Sequence, residues 1–220
     1  MTDLGWRAVL FDLDGTLADT VELILSSFRH TMEVHLGATP PDEEFLLGIG
    51  TPLPVQIDAF ARSDTEHRAM LATYVSYQRS LHDGMVRAFP GAVSVLARLK
   101  ARGVPLGLVT SKSRGIACRT LDVCMLTNSF DTLVCGDEVE HGKPHPEPVL
   151  RALTDLRVDE AAHRVLFVGD SSHDLRAGKA AGVRTAAVGW GPIARDVLAV
   201  EGPDYFLERM EEVLEITPDD

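Results

Sequence analysis

The chain has 220 residues, 45% hydrophobic and 25% charged, a globular profile with length for one large domain or a core with an inserted module. Its formal net charge is −12, with only four lysines and scattered arginines, so a nucleic-acid or anionic-membrane partner would lack its basic patch. No apolar run reaches the roughly 18–20 residues that span a bilayer, and the polar start at 1–6 is too short for a signal peptide.

Cys118, Cys124 and Cys135 have no metal-type spacing and cannot all pair internally, which favours a reducing, cytoplasmic setting. The acidity means that an anionic small molecule would have to be drawn in by a metal or a few placed cations. Oligomeric state is not readable from these residues.

In chain order, residues 7–11 predict a first strand. Residues 18–85 then predict helices without strands, over 19–36, 42–47, 54–61 and 65–81. Pro40 and Pro41, the stretch 48–54, and a turn at His82, Asp83 and Gly84 punctuate them. From residue 90 strand and helix alternate. Helix 92–102 would bury Val93, Leu96 and Leu99, and helix 147–156 would bury Val149, Leu150 and Leu153. Further helices fit 114–126 and 173–181. Strands fit 105–110, 131–135, 164–168 and 184–188, and four of the five strands are nearly unbroken apolar runs, as parallel strands covered on both faces are.

The pattern is α/β, a Rossmann-like doubly wound parallel sheet. Residues 1–17 and 86–220 would form its core, and 18–85 an inserted α-helical cap. The chain would cross between them near 16–20 and again near 84–90, a natural hinge for a lid.

The strongest chemical signal is Val9-Leu10-Phe11-Asp12-Leu13-Asp14-Gly15-Thr16. Two carboxylates spaced i,i+2 along a strand point to one side while Leu13 packs away. Adjacent acids repel, and a hard divalent cation with oxygen ligands relieves this best. Gly15 permits a sharp exit and a close approach of backbone N–H groups to an anion. The same acids also suit an Asx-type turn.

A second strand ends in Gly169-Asp170, where Asp170 is placed to bind metal. Asp174, four residues on, suits an orienting role or a helix cap. A third ends in Thr110-Ser111, whose hydroxyls could hold a phosphate oxygen. A fourth signal is Lys143, framed by prolines in His141-Gly142-Lys143-Pro144-His145-Pro146-Glu147-Pro148, where a fixed ammonium could bind a phosphoryl group. His141 and His145 do not read as a zinc site, and His173 reads as structural.

Taken in order, these strand-end signals resemble the haloacid dehalogenase superfamily, the phosphatase branch with a helical cap after the first strand. The resemblance is nearest the phosphoglycolate phosphatase and bacterial pyrophosphatase group. His82-Asp83 before Phe89-Pro90-Gly91, Val188-Gly189-Trp190-Gly191 and Pro203-Asp204-Tyr205-Phe206 also fit it.

The resemblance implies that Asp12 is the nucleophile and Asp14 the general acid/base. Thr110 and Lys143 would bind the phosphoryl group, together with Gly15, Thr16 and Ser111. Asp12, the backbone carbonyl of Asp14, and Asp170 would ligate Mg2+, with Asp174 behind them. In the cap, Gly50 and Thr51 become specificity candidates.

The implied function is Mg2+-dependent hydrolysis of a small phosphomonoester, phosphoglycolate-like, through an aspartyl-phosphate. A pyrophosphatase and a sugar-phosphate mutase are the alternatives, and a catalytically silent protein on the same fold is disfavoured by the intact acids and lysine. Asp14 argues against a dehalogenase, which lacks that acid. The absence of any lysine from 18–85 argues against a phosphonatase and weighs against a mutase.

Overall fold

The computed structural model describes residues 5–46 and 48–218. Residues 1–4, which begin the polar start, and Leu47, the last residue of the helix expected over 42–47, lie outside the described residues.

Strand β1 (Ala8–Phe11) opens the fold, followed by the short strand β2 (Ala18–Asp19). Four helices come next: α1 (Val21–Leu36), α2 (Asp42–Leu46), α3 (Leu53–Asp58) and α4 (Asp64–Met85). Strand β3 (Arg87–Ala88) returns antiparallel to β2, pairing Ala18 with Ala88 and Asp19 with Arg87.

The alternating part then runs α5 (Ala92–Ala101), β4 (Leu106–Val109), α6 (Arg114–Val123), β5 (Thr132–Val134) and α7 (Glu147–Leu156). It ends with β6 (Val165–Gly169), α8 (Ser172–Ala180), β7 (Arg184–Val188), α9 (Arg195–Val200) and β8 (Tyr205–Leu207).

Six strands form one sheet in the order β5-β4-β1-β6-β7-β8, and every pairing is parallel. β1 sits between β4 and β6, so the winding reverses beside it, and a crevice opens at the carboxyl ends of these strands. Period two then sorts β1. Val9 and Phe11 pack with Leu96, Leu99 and Leu121 on one face, while Ala8 and Leu10 pack with Val149, Leu153 and Ala177 on the other.

Helices α1 to α4 have their own apolar cluster, centred on Phe28, Met32, Phe45, Ile57, Met70 and Tyr74. Phe28 stacks on Phe45 with ring centroids 4.3 Å apart. At the start of α4 the Ser63 hydroxyl accepts from the Glu66 amide, satisfying one of the free helix N–H groups.

Four sequence expectations need correction. The turn expected at 82–84 is helical, because α4 continues to Met85. Its end is anchored where the Thr120 hydroxyl meets His82 Nε2 at 2.9 Å and Arg119 Nε donates to Asp83 at 2.8 Å. Residues 18–85 are not free of strand, since Ala18–Asp19 pairs with Arg87–Ala88. Val93 is 42% exposed, because α5 buries Ala92, Val95, Leu96 and Leu99, one step around the helix. Leu150 is 45% exposed for the same reason, with α7 burying Pro148, Val149, Ala152 and Leu153.

Candidate active site

Beyond Phe11 the chain leaves β1, yet the Asp12 amide still donates to the Val168 carbonyl at 2.9 Å. Asp12 is thereby held beside β6, while Leu13 is fully buried as its packing role requires. Asp14 does not continue the strand. It lies in the tight turn that brings the Gly15 amide to the Ala18 carbonyl at 3.0 Å. The turn, rather than strand alternation, therefore sets where Asp14 stands.

Lys143 is the hub of the buried charges. Its Nζ donates to Asp12 Oδ1 at 2.8 Å, to Asp174 Oδ1 at 2.5 Å and to the Val109 carbonyl at 3.4 Å, which engages its three N–H donors. The loop carrying it is pinned by Glu147, whose carboxylate accepts from the amides of Glu140 and His141 at 2.8 and 2.9 Å. Burial works against the Lys143 ammonium, but Asp12 and Asp174 hold its pKa above the ordinary lysine value. Burial pushes the Asp12 carboxyl up to about 7, Lys143 pulls it back, and Asp174 and Asp14 add to the rise.

Asp174 does two jobs at once. Its Oδ2 accepts from the Ser171 amide at 3.1 Å and the Ser171 hydroxyl at 2.5 Å, closing a capping box at the start of α8. Its other oxygen accepts from Lys143. Cap and charge partner are one side chain.

Asp12, Asp170 and Asp174 each bring a carboxylate oxygen within 4.8 Å of the others. Asp170 is fully buried, and its Oδ2 has no hydrogen-bond partner. Burial raises its pKa well above the carboxylate range, with Asp174 and Asp12 adding to the effect. An orphaned buried carboxylate oxygen among acids is the donor set of a hard cation. The residues present fit a metal ion.

The remaining expected site residues divide. The Thr16 hydroxyl donates to Asp170 Oδ1 at 3.2 Å, so it serves the acid cluster and not the cavity. Gly15, with φ of +73°, lies against Asp170. Thr110 is buried, and its hydroxyl oxygen accepts from the Lys112 amide at 3.2 Å, which leaves its proton for another acceptor. The Ser111 hydroxyl donates to the Gly50 carbonyl at 2.5 Å, tying the 49–52 loop of the inserted helices to the strand end. His173 Nδ1 makes a similar tie to the Ile49 carbonyl at 3.0 Å, consistent with a structural role. The Thr51 hydroxyl donates to the Gly48 carbonyl at 2.7 Å.

Two residues escaped the sequence reading. Lys112 Nζ forms an ion pair with Asp14, and the Thr20 hydroxyl donates to the same oxygen at 2.5 Å. Lys112 could have been found: it is one of four lysines and lies two residues after Thr110. His141 and His145 do stand with a third potential ligand, Glu147. Its carboxylate is already engaged by two amides and His141 Nδ1.

A cavity of about 450 Å³ opens above these groups. Asp12, Asp14, Thr110, Ser111, Lys112 and Lys143 form its floor, and residues of α1, α3, α4 and the 49–52 loop form its roof. Gly50 and Thr51 line it. Among the described residues, no helix is long and apolar enough to cross a membrane.

Residues 9–188 match the family model described as haloacid dehalogenase-like hydrolase. The chain is 39% identical over 218 residues to the pyrophosphatase PpaX of Bacillus velezensis, covering 99% of each chain. A solved structure from Haemophilus somnus, described as a predicted phosphoglycolate phosphatase, superposes with a TM-score of 0.88 at 22% identity, over 98% of each chain. The CbbY protein of Rhodobacter sphaeroides, solved with xylulose-(1,5)bisphosphate, gives a TM-score of 0.78 at 27% identity. That match spans 92% of this chain and 94% of that one.

Proposed function

Because this chain belongs to the haloacid dehalogenase-like hydrolases, we propose that it is a phosphatase that hydrolyses a small phosphate compound through a phosphoryl group carried on Asp12. The observation that supports this most is the setting of Asp12: a buried carboxylate at the end of the central strand, hydrogen-bonded to Lys143 and within reach of Asp170.

In the first step an Asp12 carboxylate oxygen attacks phosphorus, the bond from phosphorus to the leaving oxygen breaks, and Asp14 supplies that oxygen with a proton. In the second step Asp14 takes a proton from water, the water oxygen attacks phosphorus, and the bond to Asp12 breaks to release phosphate. Lys112 and Thr20 hold Asp14 for both transfers. Thr110 and Lys143 receive the phosphoryl oxygens, Lys143 turning to them the N–H that it gives Asp12 before the attack, and Asp174 keeps Lys143 directed at the site.

Asp12, Asp170 and the backbone carbonyl of Asp14 would hold Mg2+, which when bound supplies positive charge to the phosphoryl oxygens. Residues 1–17 and 86–220 act as the catalytic core and 18–85 as a cap. The paired strands at the two crossings connect them. Inorganic pyrophosphate is the second reading, favoured by the name of the Bacillus velezensis relative.

The test is phosphate release from an aryl phosphate. Turnover should require a divalent cation and fall by at least about 10³-fold in Asp12→Asn, a loss of about 4 kcal/mol of barrier lowering. Wild-type rates surviving in Asp12→Asn would sink the reading.

A further inference from the structure

Resting on the phosphatase reading, we propose that the leaving group of the natural substrate is neutral and largely apolar, so that this site is built for a hydrophobic phosphomonoester rather than for pyrophosphate or phosphoglycolate. The roof of the cavity carries the argument. It presents Ile24, Ile49, Leu53, Leu71 and Val75, and Ile116 faces them from the core. Such walls gain by covering apolar surface and lose by stripping water from an unpaired anion.

Among the described residues, the only cations lining the cavity are Lys112 and Lys143, both on its floor. Lys143 is engaged by Asp12 and Asp174, and Lys112 by Asp14. The arginines between residues 18 and 85 are directed elsewhere. Arg29 pairs with Glu22 and Asp42, and Arg62 with Glu66. Arg68 and Arg79 are exposed and line none of the cavity. A carboxylate or second phosphate on the leaving side would therefore meet no guanidinium, the usual clamp for such groups.

Asp137 opposes an anion there as well, because it adds a negative charge to the cavity wall.

The test compares phenyl phosphate and butyl phosphate with phosphoglycolate and pyrophosphate at saturating Mg2+. The expected kcat/KM favours the apolar esters by at least about tenfold, the scale on which hydrophobic pockets discriminate. Val75→Arg, which puts a cation into the roof, should shrink or invert that ratio, and Arg79→Ala should leave it unchanged.

A second readout needs no turnover. Calorimetry on Asp12→Asn should show benzylphosphonate binding at least about tenfold tighter than phosphonoacetate. Preference for the anionic compound in either readout, or a ratio that moves with Arg79→Ala, overturns the assignment and leaves the phosphatase reading standing. Turnover of none of the four compounds, or turnover persisting in Asp12→Asn, overturns the phosphatase reading, and the calorimetric ratio still decides the leaving group.

Discussion

At Gly15 the backbone takes a φ of +73°, and a methyl group built there would stand 2.2 Å from Asp170 Oδ2. Two penalties meet at one residue: a left-handed backbone that costs an L side chain about 1–2 kcal/mol, and displacement of the acid with the unpaired oxygen. Gly37 separates them. Its φ is +67° and nothing lies within 4 Å of a built methyl, so Gly37→Ala carries the backbone cost alone. Gly15→Ala should lower the melting temperature more than Gly37→Ala, and should weaken stabilisation by Mg2+ where Gly37→Ala does not. Equal behaviour of the two variants would show that Asp170 tolerates the crowding and is not held where the metal needs it. The sequence carried the glycine and the acids in plain view. It did not carry Thr16 as a partner of Asp170 or Lys112 as a partner of Asp14, which are 154 and 98 positions apart, nor Thr20, which the turn at Gly15 brings to Asp14 from six residues away.

Among the elements, the long apolar strands were legible and the two-residue ones were not. β6 reads Val-Leu-Phe-Val before Gly169 and is buried along its whole length, which leaves little else for those residues to be. Ala18–Asp19 and Arg87–Ala88 have no periodicity to read, and they exist because the two crossings run side by side. Gly84 misled for a related reason: glycine marks turns locally, but the His82 and Asp83 contacts to α6 extend the helix past it. The separate apolar cluster of α1 to α4 has an energetic consequence. Phe28 is fully buried there, so Phe28→Ala should cost about 3–5 kcal/mol. If 18–85 behaves as its own unit, hydrogen exchange should speed up in α1 and α4 while β1 and β6 keep their protection. Uniform loss of protection across the sheet would show that helices and sheet unfold as one.

Over the whole molecule, the order of motifs along the chain was enough to imply the family, because three lie at the carboxyl ends of strands, the Lys143 loop follows β5, and the parallel sheet gathers them on one side. What the order could not supply was the cavity above them. Its roof comes from four segments of the inserted helices, and the apolar character of that roof emerges only when they are assembled. Turnover by this site depends on a bond between phosphorus and Asp12. An aryl phosphate, whose leaving group departs without a proton, should load that residue even when Asp14 is disabled, while the second step stalls. Acid-quenched Asp14→Asn, digested and weighed, is predicted to carry one phosphoryl group on the peptide containing Asp12, and Asp12→Asn to carry none. Phosphate released by the wild-type chain with no phosphoryl group found on Asp12, or with one found on another residue, would contradict the account.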